Sequence, residues 1–127
     1  METIIRLLTK EGCLQIESIS EAWCECSLVF GDTPIYLGAE SPAYIKKHLL
    51  SGLGDVPPKA AGQIEGHTVS WVFSLAGANY AHVLYMATEG TDKLLYWQDA
   101  IGPVKIFCKM RLSQEERLEW RRQLEGP

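Results

Sequence analysis

Between residues 67 and 111 apolar and polar positions alternate in four short runs, and the rest of the chain is organised around them. In the first run Val69, Trp71, Phe73 and Leu75 alternate with Thr68, Ser70, Val72 and Ser74. A period of two sends each set to one face of a strand. The large apolar set is therefore expected against a core, and the mostly hydroxylated set near water or a covering loop. Ala76-Gly77-Ala78-Asn79 supplies turn chemistry, because Gly and Asn tolerate positive φ. The second run, residues 80–88, is apolar on both sides: Tyr80, Leu84 and Met86 against Ala81, Val83, Tyr85 and Ala87. Such a strand is expected to be central and covered on both faces. Residues 89–93 read as a polar hairpin loop. Over residues 94–100, Leu95 and Trp97 oppose Leu94, Tyr96 and Gln98. After Gly102-Pro103, Val104, Ile106, Cys108 and Met110 alternate with Lys105, Phe107, Lys109 and Arg111, a basic side that suits an edge strand.

The first half of the chain is patterned less regularly. Residues 3–9 and 13–19 flank Lys10-Glu11-Gly12 and predict a hairpin. Within residues 23–30, Cys24, Cys26, Leu28 and Phe30 share one face, which predicts a half-buried strand. Ile35-Tyr36-Leu37 is a short fourth strand after the turn Gly31-Asp32-Thr33-Pro34. Ser41-Pro42 starts a helix as hydroxyl cap and first-turn proline. That helix is expected to run through Leu50, with Gly52 near its C-cap. Residues 53–62 read as a long connection, expected as a crossover rather than a binding loop. Ser113 and Glu116 have capping-box spacing for a C-terminal helix. Its apolar stripe is thin, so Trp120 is the residue it can least easily hide.

The order of elements predicts one α+β domain over residues 1–127. The sheet is expected to be twisted, mainly antiparallel and of seven or eight strands, with a central crossover helix and a C-terminal helix. Hydrophobic residues make up 46% of 127, enough for a sizeable core.

A net charge of −4 without a lysine or arginine cluster argues against nucleic acid and against a polybasic membrane surface. No apolar run reaches the length of a membrane span, and the start lacks a signal-peptide pattern. The expectation is a cytoplasmic setting in which Cys13, Cys24, Cys26 and Cys108 stay reduced. Cys24-x-Cys26 does not match structural zinc spacing, and core packing is the stronger reading of both thiols. No metal and no cofactor are expected.

Catalytic signatures are lacking: there is no G-x-S-x-G, no H-E-x-x-H and no glycine-rich phosphate loop. His82, on the central strand, reads first as a hydrogen-bonded core histidine. Asp55, His82 and Asp99 are the best candidates for a scattered active site. Aromatic residues crowd the second half, and Tyr and Trp are enriched at binding hot spots. The leading expectation is therefore a stoichiometric protein-binding module, such as an inhibitor, adaptor or immunity-like protein, without catalysis. Tyr85, Tyr96, Trp97, Trp120 and Arg121 are its candidate contacts. An acidic chain suits a basic protein partner, and a homodimer is compatible with the sequence. The alternative is a small-molecule-binding protein or enzyme with an apolar pocket between sheet and helix. A filled sheet–helix interface would favour the first, and a cavity with converging polar groups the second.

Overall fold

The computed structural model describes residues 2–54, 59–76, 81–99 and 106–126. Nine strands and two helices follow one another as β1 (Glu2–Leu8), β2 (Cys13–Ser18), β3 (Cys24–Phe30), β4 (Thr33–Glu40), α1 (Pro42–Leu53), β5 (Ala60–Ile64), β6 (His67–Ala76), β7 (Ala81–Glu89), β8 (Asp92–Asp99), β9 (Ile106–Leu112) and α2 (Gln114–Glu125). The fold is α+β, with two antiparallel sheets of four and five strands. β1 to β4 form one meander, and β5 to β9 the other. Among the described residues the two join at a single pairing, Ala39 with Ala76.

Two expectations are corrected. Among the described residues there are nine strands, in sheets of four and five, rather than about seven or eight in one sheet. The extra strand is β5, which takes residues 60–62 out of the expected loop and pairs with β6. The first helix is also not a central crossover of one sheet, because it stands between a four-stranded and a five-stranded sheet. It leads from β4 to β5, and every ladder among the described residues is antiparallel.

α1 begins as its sequence dictates: the Ser41 hydroxyl accepts from the Tyr44 N–H at 3.3 Å and Pro42 follows the cap. Ile45, Leu49, Gly52 and Leu53 form its buried face. The helix runs to Leu53 and is capped by Gly54, so Gly52 lies inside it. There it permits close approach, since a Cβ at Gly52 would stand 2.9 Å from Met86 Sδ on β7. α2 carries the expected capping box of Ser113 and Glu116. Its stripe of Arg117, Trp120 and Leu124 is thin but fully used. Trp120 is 0% exposed, and its indole N–H donates to the carbonyl of Leu8 at 2.8 Å. α2 packs on β1, β8 and β9, the two ends of the strand order, as well as on α1. The sheet therefore curls until both ends meet the same helix.

The main core lies inside this curl, with side chains from both sheets and both helices. A smaller cluster of Ile64, Val69, Ala87, Leu94 and Tyr96 covers the other face of the five-stranded sheet, with Tyr85 against it. β7 and β8 thus bury residues on both faces, as continuous apolar strands do.

β6 departs from simple alternation. A bulge between Trp71 and Phe73 leaves Val72 without a register partner. Beyond a bulge the faces exchange. Val72 and Phe73 are consequently both buried, while Trp71, expected in the core, is 40% exposed. Its indole N–H donates to the Ser74 hydroxyl at 3.0 Å, and its ring meets His48 edge-on at 5.3 Å.

The two tryptophans should therefore differ sharply when truncated. Trp120→Ala is expected to cost about 3–5 kcal/mol, the range for a buried aromatic. Trp71→Ala should cost only about 1–2 kcal/mol, for one hydrogen bond and a half-exposed ring. Urea midpoints of the two variants check this, and equal losses would show that the bulge does not turn Trp71 outward.

Candidate functional site

A cavity of about 220 Å³ opens between the last turn of α1, β5 and the inner face of the five-stranded sheet. Its lining comes from four strands and a helix: Gly52, Ala60, Thr68, Ser70, Met86, Ala87, Thr88 and Lys93. Gly52, Ser70, Met86, Ala87 and Lys93 are buried and form its floor. Ala60, Thr68 and Thr88 are exposed and form its rim. Gly52 helps to leave this space, because a larger residue there would press on the Met86 sulfur.

The floor holds a cation. Lys93 is 1% exposed, on the same side of β8 as Leu95 and Trp97 of the main core. Its ammonium donates to Thr88 Oγ1 at 2.9 Å. Lys93 and Ser70 each make further contacts, so the ammonium is held in place. Buried charges persist only when partnered in this way. Arg117 of α2 is a second buried cation, and its Nε donates to the carbonyl of Leu53 at 2.7 Å. That bond satisfies a carbonyl left open at the end of α1, where the helix dipole also favours positive charge.

On the opposite face a chain of polar side chains runs across four strands. The Tyr96 hydroxyl lies 3.1 Å from His67 Nδ1, and His67 Nε2 lies 2.7 Å from Glu89 Oε2. Arg111 then bridges Glu89 at 2.5 Å and Asp92 at 2.8 Å. The hydrogen bond from Arg111, and after it that from His67, lowers the Glu89 carboxyl below its ordinary value. Burial, and then the charge of Glu65, pushes the Tyr96 hydroxyl up. The order tyrosine–histidine–carboxylate resembles a proton relay, but Tyr96 is 0% exposed and does not line the cavity beneath β5. The arrangement ties strands together, from a buried tyrosine to an exposed carboxylate and a partly exposed arginine.

The sequence candidates are dispersed. Tyr96 and Trp97 point to opposite faces of β8 and are both buried, as is Trp120. Tyr85 packs half-buried on the smaller cluster. Arg121 lies one residue beyond Trp120 and faces away from it, 3.8 Å from Glu125. These five residues form no common surface. Asp55 and the side chains of His82, Asp99, Phe107 and Cys108 lie outside the described residues. Cys24 and Cys26 belong to the main core, where burial raises both thiols away from reactivity. Among the described residues no three His, Cys, Asp or Glu side chains converge as metal ligands, and no helix is long and apolar enough to cross a membrane.

Sequence reading missed the cavity residues, although two signals pointed to them. The alternation in residues 68–75 puts the hydroxyls of Thr68 and Ser70 on a face near water or a covering loop. Lys93 keeps strand parity with Leu95 and Trp97, which assigns it to their side.

No protein-family model matches the chain, and neither a curated protein nor a solved structure matches it.

The polar chain through Glu89 predicts an acid limb of stability. A carboxyl lowered by folding contributes fully above its ordinary value of 4.5 and loses that contribution as pH falls through the folded value. Glu89→Gln should flatten the fall in stability as pH drops below 4.5. Urea midpoints measured across that window check it, and parallel wild-type and variant curves would exclude a role for Glu89.

Proposed function

We propose that this protein binds a small molecule in the cavity beneath β5, without performing chemistry on it. One observation carries the reading: a buried floor and an exposed rim enclose about 220 Å³ at a sheet–helix interface, with a lysine and three hydroxyl side chains lining it. Pockets with apolar walls and a few converging polar groups are the usual form of ligand sites. Since a cavity of 150 Å³ accommodates benzene, this one suits a ligand of about six to ten non-hydrogen atoms. Among the described residues, Lys93 is the one titratable side chain in the lining. That supports binding over acid–base catalysis, which needs a base within reach of the reacting atom. A cytoplasmic setting accords with the free thiols of Cys13, Cys24 and Cys26.

A second reading, stoichiometric binding of a protein partner, draws support from Trp71. This large aromatic is 40% exposed beside His48 and Tyr44, on the strand that also carries β5. Its test is affinity capture from the native cell with the wild type and with Trp71→Glu.

The cavity reading is tested with three probes of matched size, 1-hexanol, hexanoate and hexylamine, followed by ligand-observed NMR. At least one should bind saturably to the wild type and fail to bind Ala60→Trp, which fills the rim from an exposed position. The variant should melt within about a degree or two of the wild type, as exposed substitutions usually do. Binding of none of the three, or binding that survives Ala60→Trp, would refute the site.

A further inference from the structure

A second concavity, of about 300 Å³, opens on the outer face of the four-stranded sheet, where Arg6, Leu8, Lys10, Glu11, Cys13 and Val29 belong to its lining. We infer that it binds a monoanion with a short apolar body: a carboxylate held by Arg6 and Lys10, with its hydrocarbon on Leu8 and Val29. The inference is independent of the cavity beneath β5.

Strand register builds the apolar part. Leu8, Cys13 and Val29 stand in one row across β1, β2 and β3. Leu7, Leu14 and Leu28, one position along, belong to the main core, so the first row faces outward. Cys13 is buried and Val29 half-buried, but Leu8 is 59% exposed. The turn after β1 is held from within. Thr9 Oγ1 donates to the Gly12 carbonyl at 3.1 Å and accepts the N–H groups of Glu11 and Gly12 at 3.1 Å each. Gly12 lets this turn close onto β3, since a Cβ there would stand 1.9 Å from the carbonyl oxygen of Val29. The floor is therefore shaped by backbone and is preformed for a ligand.

Charge selects what fits on it. Arg6 and Lys10 lie two positions to either side of Leu8, and both are exposed. Neither makes an ion pair or a side-chain hydrogen bond among the described residues. The lining also holds a carboxylate, Glu11, but one of its oxygens accepts from the backbone N–H of Arg111 on β9 at 3.3 Å. Asp32, beside Gly31, is not part of the lining. Two cations and one carboxylate leave a single net positive charge. That suits a monoanion better than a phosphate monoester, which brings nearly two negative charges. Arg6 supplies a planar fork that matches both oxygens of a carboxylate, and Lys10 adds a point charge. Exposed ion pairs contribute little each, so a bare anion is not retained without the apolar contact.

The probes are N-acetyl-leucine, its neutral counterpart N-acetyl-leucinamide, and hexanoate, followed by the amide NMR signals of isotope-labelled protein. N-acetyl-leucine should move the signals of residues 6–13 and 29–31, equally in the wild type and in Ala60→Trp, where the cavity beneath β5 is filled. It should bind about two- to fivefold more tightly than the amide, the range of an exposed ion pair. Arg6→Gln combined with Lys10→Gln should bring the acid down to the affinity of the amide, and so should about 1 M sodium chloride. Both substitutions are at exposed positions, so this variant should melt within about a degree or two of the wild type. Leu8→Ser should weaken acid and amide alike. Hexanoate binding more tightly than N-acetyl-leucine supports the site and assigns it to a free acid, and the reverse order supports it as a site for the carboxyl end of a peptide. Equal affinity of acid and amide would overturn the inference, as would undiminished binding of the acid to the double variant. Shifts confined to other residues, or no saturable binding of any probe, would overturn it too. None of these results bears on the cavity beneath β5, which Ala60→Trp tests by itself.

Discussion

The indole N–H of Trp120 meets the carbonyl of Leu8, and through this contact one helix touches both ends of the strand order. An open sheet of many strands twists and leaves two edges. Here the twist brings the first and last strands to α2, and the edges are managed by docking instead of by further pairing. The backbone N–H of Arg111 on β9 adds to this closure, reaching a carboxylate oxygen of Glu11 in the β1–β2 turn at 3.3 Å. Almost everything in the main core depends on this curl. With α2 in place, Leu7, Leu14 and Ile16 from one end share a core with Leu95, Met110 and Leu112 from the other. Among the described residues the four- and five-stranded sheets are tied directly by one pairing, and the helices carry much of the union.

Local rules were legible wherever they acted locally. The Ser41 cap, the Ser113–Glu116 capping box and the doubly apolar β7 follow from a few residues each. What failed was long-range or depended on register. Trp71 sits in the best alternating run of the chain, yet one inserted residue, Val72, reverses the faces after it. Nothing in the composition of Trp71-Val72-Phe73 announces that insertion, since all three residues suit a strand. β5 was missed because Ala60, Ala61, Gly62 and Gln63 have neither alternation nor bulk. Its order comes from the neighbouring strand β6. Trp120 looked difficult to bury because the helix alone has few apolar residues. Its partner, a carbonyl more than a hundred residues away, is set by tertiary structure.

The candidate site was hidden for a related reason. Lys93 read as a loop residue by its chemistry, and as a core residue by its parity with Leu95 and Trp97. Parity decided where its stem goes, and chemistry decided that its head must find partners there. Arg117 repeats the pattern from the other side. A helix whose apolar stripe includes an arginine buries it by giving the end of α1 a donor it lacks. Of these two long cationic side chains, Arg117 ends at the carbonyl end of a helix, where positive charge is best tolerated.

β5 forms one wall of the cavity mouth, and among the described residues it is held by a single ladder to β6. Its residues Ala60 to Gln63 are exposed and bury almost no side chain. A strand attached on one side, with little apolar area to lose, frays at a free energy far below that of global unfolding. The five residues of β5 therefore answer to a local equilibrium of their own, while the curled sheet behind them stays closed around its helices.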